Sequence, residues 1–331
     1  MTAADGHKKR WPRVAAGVLI GTICLWLAFR GFELADFTRA LRSLNVPLTL
    51  LALGSTFLTL LMGAWRWRWL FYPHHQERSF HALFRALVVG QMVNIVSPLR
   101  VGEVARVYAL AEHERLTKTH VLATVALEKV LDLFVFGVAI ALLLMLMALP
   151  GGVRVKTSAQ LGVAAAALLT LWFVARFAVP IANRLDPFTR WLPTRLRVAA
   201  RAALHRVVEG LATLRKPQMG AFVLGLSVLL QICSALTNYL LIRAFGFDIP
   251  AWSALFLLVL LQVGSVPPSL PGKIGVFNYL VVVGLAVFGI DQTPAFSFSL
   301  VLYVVALLPK VLIGSAYVAS GSVHVTRRAP A

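Results

Sequence analysis

Five charged residues lie inside or beside long apolar runs, where an isolated charge is costly. Glu128 and Asp132 stand four positions apart, so they share one face of a helix. Three bases, Arg100, Arg106 and Lys273, lie in or next to other apolar segments. A charge at the centre of a bilayer costs about 2.5–3.5 kcal/mol even on insertion-based scales, so such side chains usually face the protein interior and have partners.

These charges allow two interpretations. In the first, the two acids form ion pairs with Arg100, Arg106 or Lys273 and hold helices in place. In the second, the three bases bind a lipid phosphate, for which the fork of arginine and the point charge of lysine are both suited. The acids would then compete with the lipid for the bases, or would carry a coupling proton. The sequence leaves both interpretations open.

Two similar motifs interrupt the apolar sequence. They read Pro98-Leu-Arg-Val-Gly102 and Pro271-Gly-Lys-Ile-Gly275, and each lies between two apolar runs. Proline stops a helix and glycine permits a turn, so we predict a helix break at Pro98 and Gly102 and another at Pro271, Gly272 and Gly275. Unpaired backbone at membrane depth is tolerated only where protein or water satisfies it. The breaks therefore predict the lining of a cavity.

Other polar residues of the apolar segments could complete this cavity. Uncharged amides could donate and accept hydrogen bonds there, or could instead join helices to one another. With the acids, these residues form a predicted polar network around the bases. Its members are Asn94, Glu103, Glu128, Asp132 and Asn278, with Gln91 and Gln262 as further candidates.

The elements that must position these residues are membrane helices. Of 331 residues, 59% are hydrophobic and 14% are charged, against roughly 25% charged in soluble domains. Several apolar runs approach the ~20 residues that span hydrocarbon, which predicts an all-α polytopic membrane protein. The runs lie at about 14–29, 46–64, 121–149, 158–179, 218–242, 252–266, 276–290 and 294–320.

The chain has a formal net charge of +19. Membrane proteins carry an excess of lysine and arginine in their cytoplasmic loops, and this excess explains the positive charge. We do not expect a nucleic-acid partner, because no nucleic-acid-binding motif accompanies the charge. The segment 180–217 is strongly basic and has helical periodicity. It predicts either an amphipathic helix on an anionic leaflet or a solvated loop helix that enforces topology.

Counting outward from this cytoplasmic segment gives the topology. We predict about six full spans, with both termini inside, and two broken or re-entrant hairpins, 80–112 and 252–290. Three spans separate the hairpins, so the hairpins enter from opposite sides. That arrangement is an inverted repeat, the architecture through which transporters expose one midplane site to either side in turn.

We therefore predict one membrane domain, residues 1–331, in the plasma (inner) membrane. Its first half is 10–179, the basic cytoplasmic segment is 180–217, and its second half is 218–320.

The segment after the second apolar run is rich in aromatic and basic residues. Its three tryptophans alternate with two arginines, which predicts an interfacial belt. Its three histidines have no nearby cysteine or clustered carboxylates, so no metal site is expected there, and nothing in the sequence predicts a cofactor. These residues are Trp65, Trp67, Trp69, Arg66, Arg68, His74, His75 and His81.

Three segments together resemble the flippase-like membrane domain of lysylphosphatidylglycerol synthases. They are Asn94-Ile-Val-Ser-Pro-Leu-Arg-Val-Gly-Glu-Val-Ala-Arg106, Glu128-Lys-Val-Leu-Asp132 and Pro271-Gly-Lys-Ile-Gly275. The resemblance covers roughly residues 10–320. It implies a function in moving membrane lipid, with an anionic headgroup as the partner.

The sequence departs from this family at two positions and at its end. Lys273 and Asn278 stand where the family usually has glycine and glutamate, so the role of that glutamate is in doubt here. The full synthases also carry an aminoacyltransferase domain, whereas this chain ends shortly after Ser320. We therefore expect the stand-alone form, which does not make lysylphosphatidylglycerol itself.

Three functions remain open at this point. The first is a translocase that moves an anionic or glycosylated lipid between leaflets. The second is a membrane enzyme or accessory subunit of lipid or polyprenyl-phosphate sugar transfer, with Glu103, Glu128 or Asp132 as general base. The third is a non-catalytic scaffold that binds lipid or envelope-synthesis enzymes.

Overall fold

The computed structural model describes residues 44–97, 101–146, 217–264 and 271–320, and within these ranges the protein is all-helical, without strands. The two apolar runs at 14–29 and 158–179, and the basic segment that follows the second of them, lie outside the described residues. The α-helices are α1 Val46–Trp69, α2 Phe80–Val96, α3 Gly102–His113, α4 Lys118–Leu146, α5 Pro217–Ala244, α6 Trp252–Gly264, α7 Val276–Ala286 and α8 Gln292–Ala319. Two 3-10 helices, His74–Glu77 and Pro271–Lys273, precede α2 and α7.

Four helices are long and apolar enough to cross a membrane. They are α1, α4, α5 and α8, with candidate spans of 24 to 29 residues. At ~1.5 Å per residue even the shortest is about 36 Å long, which exceeds the ~30 Å hydrocarbon core. Only 22% to 39% of the most apolar window of each helix is buried inside the protein. The protein is therefore a multi-pass membrane protein, and its apolar helices contact the bilayer.

The described helices end and begin on either side of both predicted breaks. At the first break α2 ends at Val96 and α3 begins at Gly102, and at the second break α6 ends at Gly264 and α7 begins at Val276. The apolar helices α2, α6 and α7 have 17, 13 and 11 residues, below the ~20 of a full span. The direction in which each pair enters the membrane stays a prediction.

Close contact between backbones holds the first break. The N–H of Gly102, at the start of α3, donates to the side-chain oxygen Oδ1 of Asn94 on α2 at 2.7 Å. This bond satisfies one of the donors that the first turn of a helix leaves unpaired. A Cβ at Gly102 would lie 2.0 Å from the carbonyl oxygen of Gly90. No side chain fits at this position unless the two helices move apart.

The second break turns through left-handed backbone. Gly272, Lys273 and Gly275 have φ values of 71°, 62° and 88°. The Tyr303 hydroxyl donates to the carbonyl of Gly272 at 3.0 Å, and the N–H of Gly275 donates to Oδ1 of Asn278 at 3.4 Å. Glycine adopts such φ values without steric cost, whereas a residue with a Cβ, such as lysine, adopts them at a cost in free energy.

The described residues form two compact units, which we describe separately. The first unit comprises 44–59, 88–97, 101–103, 233–264 and 271–320, and the second comprises 60–87, 104–146 and 217–232. The core of the first unit is aromatic and aliphatic, with Leu241, Leu257, Leu285, Phe296 and Phe298 almost fully buried. The core of the second includes Leu60, Trp67, Phe71, Leu83 and Leu110.

Candidate functional site

A buried ion cluster lies in the second unit, around an arginine of α1. Nη2 of Arg66 lies 3.1 Å from Oε1 of Glu128, and its Nη1 lies 2.6 Å from Oδ1 of Asp132. The same Nη1 donates to the hydroxyl of Ser227 on α5 at 3.1 Å. The side chains of Arg66 and Glu128 are only 5% and 7% exposed. The four-residue spacing of the two acids thus directs both onto one guanidinium.

A second arginine completes the cluster. Arg106 of α3 donates through both terminal nitrogens to the carboxylate of Glu128, in a fork-to-fork arrangement. Its guanidinium lies 3.6 Å from the centre of the Trp67 ring, and the Trp67 indole N–H donates to the hydroxyl of Thr124 at 3.0 Å. Two bases and two acids therefore neutralise one another among α1, α3 and α4.

The cluster corrects two expectations from the sequence. Arg66 was assigned to the segment after the second apolar run, but it lies within α1 and is buried. Trp67 was assigned to an interfacial belt, but it is fully buried against Arg106 and Thr124. At the end of an apolar run Arg66 resembles a loop arginine, and only the structure shows that α1 continues through residue 69. The sequence does not show which acid pairs with Arg66, because Asp132 lies 66 residues further along the chain.

The other predicted site residues are distributed as follows. Pro98 and Arg100 lie outside the described residues, so their role stays a prediction. Glu103 lies in the first turn of α3, where the helix dipole favours an acid. Asn278 is buried in the first unit, and its Nδ2 donates to the hydroxyl of Ser299 at 2.8 Å. Phosphate binding by Arg106 likewise stays a prediction, and it requires a lipid to displace Glu128.

A cavity of about 360 Å³ lies within the first unit. It is built from α2, α6, α7, α8 and the second break. Its floor and walls are mostly apolar, and its polar groups come from two amides of α2, one of α6 and two lysines. The lining residues are Gln91, Asn94, Ile95, Leu258, Leu261, Gln262, Gly272, Lys273, Phe277, Ala306, Leu307 and Lys310.

Lys310 is the least expected of these residues. It follows Pro309 inside α8, about 13 Å from the C-terminal end of the helix at ~1.5 Å per residue. Within the part of the chain that the structure describes, Lys310 has neither a hydrogen bond nor an ion pair. A lone lysine in an apolar run of span length is itself a functional signal that the sequence carries.

Two amides of α2 line the cavity, and one of them has an acceptor without a partner among the described residues. The buried side-chain oxygen of Gln91 accepts no hydrogen bond from the described residues. Asn94 uses its oxygen to cap Gly102 and lines the cavity as well. A cavity that combines a cation with an open acceptor suits a polar, negatively charged group that also carries donors.

The described residues hold no group of three or more His, Cys, Asp or Glu side chains that could bind a metal ion. His75 instead stacks on Trp69, with ring centres 4.1 Å apart, and His74 lies 3.2 Å from Glu77.

Comparisons with known proteins agree with this architecture. The chain is 22% identical over 290 residues to a protein described as a UPF0104 membrane protein from Methanothermobacter thermautotrophicus (strain Delta H), and the alignment covers 83% of this chain and 86% of that protein. No solved structure matches the chain. Residues 14–314 match the family described as the lysylphosphatidylglycerol synthase TM region. Because the match extends over most of the sequence, including α1 to α7 and most of α8, this chain belongs to the lysylphosphatidylglycerol synthase TM region family.

Proposed function

We propose that this protein moves an anionic membrane lipid between the leaflets of the plasma membrane, with the headgroup in the cavity of the first unit. The observation that carries the proposal is Lys310, a lysine within a membrane-spanning helix that lines this cavity and has no partner among the described residues.

The energetics favour a ligand at this position. A charge inside a membrane span costs several kcal/mol unless a counter-charge or polar groups compensate it. In the buried cluster of the second unit, acids compensate the charges of Arg66 and Arg106. No described residue supplies a counter-charge for Lys310. A lipid phosphate would supply the missing negative charge, and the apolar walls would accommodate the adjoining glycerol and acyl carbons.

The surrounding groups support a headgroup site. Lys273 places a second base at the break between α6 and α7, and Gln91 offers a buried acceptor. Broken helices that line a midplane cavity are typical of secondary transporters. The translocation path therefore runs past the second break, where the chain turns through Gly272 and Gly275.

The experiment is lipid scrambling in proteoliposomes that contain a fluorescent anionic phospholipid, with a membrane-impermeant quencher added outside. We expect the wild-type protein to raise the quenched fraction above one half. Lys310→Gln should slow the initial rate on the order of tenfold, since a hydrogen bond to a charged group contributes about 1.5–3 kcal/mol. Lys310→Arg should retain most of the rate.

The matched control is Lys118→Gln, which removes an exposed lysine that lies over the Tyr108 ring in the second unit. It should scramble like the wild type. Absence of scrambling by wild-type protein would exclude translocation and favour the enzyme or scaffold function. Scrambling that is unchanged in Lys310→Gln would remove this cavity from the path.

A further inference from the structure

A tyrosine of α8 holds the second break. The Tyr303 hydroxyl donates to the carbonyl oxygen of Gly272 at 3.0 Å, across 31 residues of sequence. This carbonyl belongs to the peptide unit that joins Gly272 to Lys273. Because a peptide unit is planar, the hydrogen bond fixes the plane from which the Lys273 side chain departs.

The space around this bond suits glycine at position 272. A Cβ built on Gly272 would lie 2.4 Å from the Tyr303 hydroxyl oxygen, so a side chain there would displace the hydroxyl. Gly272 and Lys273 both have left-handed backbone, with φ values of 71° and 62°. Lysine has a Cβ and adopts such a φ only at a cost, so its conformation depends on restraints from its surroundings. The hydrogen bond from Tyr303 supplies one such restraint.

The same tyrosine contacts the chain beyond the break. Its ring lies nearly perpendicular to the ring of Phe277, at an angle of 76° and with the ring centres 5.4 Å apart. Aromatic rings in this edge-to-face arrangement attract one another. Phe277 lies in the first turn of α7 and lines the cavity of the first unit. Tyr303 therefore contacts the turn before Lys273 and the helix after it.

Tyr303 itself is held by the core of the first unit. Its neighbours in α8 include Leu302 and Val305, whose side chains are buried. Lys310 lies seven residues further along α8, about two turns away on the same face of the helix. Lys273 and Lys310 line the cavity, whereas Tyr303 is not among the lining residues. Tyr303 therefore acts on a ligand of the cavity through its neighbours rather than by contact.

We infer that Tyr303 is a positioning residue for Lys273. Its hydroxyl holds the second break so that Lys273 and Lys310 line the same cavity. Without the hydroxyl the turn relaxes, and the Lys273 side chain spends more of its time outside the cavity. The consequence for a lipid rests on the proposed function, whereas the position of the Lys273 side chain does not, so the two can be tested separately.

The first measurement is the acetylation rate of Lys273 in the purified full-length protein in neutral detergent, with N-hydroxysuccinimidyl acetate as the probe and mass spectrometry as the readout. Tyr303→Phe removes only the hydroxyl and should raise this rate on the order of threefold, since the loss of one neutral hydrogen bond shifts an equilibrium by about that factor. Acetylation of the exposed Lys118 in the second unit should stay unchanged. The matched control is Tyr239→Phe, which removes a hydroxyl that accepts from Nε of Arg243 at an exposed site, and it should leave both rates unchanged.

The second measurement is the binding of phosphatidic acid to the same protein, arranged as a double-mutant cycle. Lys273→Gln should weaken binding on the order of tenfold, because it removes a charged contact. Tyr303→Phe should weaken binding on the order of threefold. The double variant should bind like Lys273→Gln alone, because the hydroxyl has no effect on the lipid once the base is absent. A residue that merely stabilises the fold would weaken binding by the same factor in both backgrounds.

An acetylation rate in Tyr303→Phe equal to the rate in Tyr239→Phe would overturn the inference and leave the hydroxyl as a structural bond to Gly272. Losses of lipid affinity that multiply in the double variant would also overturn it. If the wild-type protein binds no phosphatidic acid, the proposed function fails, and the acetylation rates then decide the positioning of Lys273 by themselves.

Discussion

Lys273 occupies backbone that suits glycine. Its φ is 62°, next to Gly272 at 71°, and a left-handed conformation costs a residue with a Cβ roughly 1–2 kcal/mol. The residue nonetheless lines the cavity of the first unit. Strain that persists at a ligand cavity suggests that the side chain serves the ligand.

Two substitutions separate the charge of Lys273 from its strain. Lys273→Gly should raise the free energy of unfolding by about 1 kcal/mol because the strain is relieved, whereas Lys273→Ala should leave it nearly unchanged. Both variants should weaken binding of anionic lipid to a similar extent, because both lose the base. Thermal unfolding in detergent and lipid binding are the two measurements. If neither variant changes lipid binding, Lys273 does not contact the headgroup.

The residues that sequence reasoning identified and those that it missed differ in a physical way. Glu128 and Asp132 were recognisable because two acids at helical spacing in an apolar run need partners. Their partner Arg66 was not, because a base near the end of an apolar run resembles any loop arginine until the fold brings α1 and α4 together. Lys310 is visible in the sequence as a charge within an apolar run, but its lack of a partner among the described residues is a property that only the fold reveals.

At the level of elements, the two breaks share more than their motif. Gly102 and Gly275 occupy the same place in the two motifs, and each donates its N–H to an asparagine side chain, Asn94 and Asn278 respectively. Each glycine also begins or caps the helix that follows its break. Described helices begin or end near both Pro and Gly motifs, but the bonds to the two asparagines depend on distances that the sequence does not contain.

Gly102→Ala tests the first break. The new Cβ would lie 2.0 Å from the carbonyl oxygen of Gly90, so α2 and α3 must move apart at a cost of about 1–3 kcal/mol. Thermal unfolding of the detergent-solubilised protein should show the loss. Gly225→Ala in α5 is the control, because a Cβ there meets no atom within 4 Å. Equal stability of the two variants would mean that the close approach of α2 and α3 does not hold the break.

For the whole molecule, the orientation of the two halves in the membrane stays a prediction. The hydropathy and charge patterns predicted a polytopic helical protein, and the helices confirm it, but the inverted orientation depends on a span that lies outside the described residues. Basic residues also do not all mark loops here, since Arg66 is buried within α1.

Cysteine accessibility tests the predicted orientation. In a variant whose natural Cys24 and Cys233 are replaced by alanine, a cysteine at Asp291, between α7 and α8, should react with an impermeant thiol reagent added to intact cells. A cysteine at Gln76, before α2, should react only after the membrane is opened. Both positions are exposed in the structure, so access is not limited by burial. Reaction of both from the same side would exclude the inverted repeat.

The ion cluster around Arg66 also sets an order of events during synthesis. Asp132 follows Arg66 by 66 residues, so at roughly 5–20 residues per second the ribosome delivers this acid about 3–13 s after the arginine. During that interval the end of α1 carries a cation whose counter-ions do not yet exist. The final position of α1 in the membrane therefore depends on the synthesis of α4. The first helices of this protein cannot all reach their final positions in the order in which they leave the ribosome.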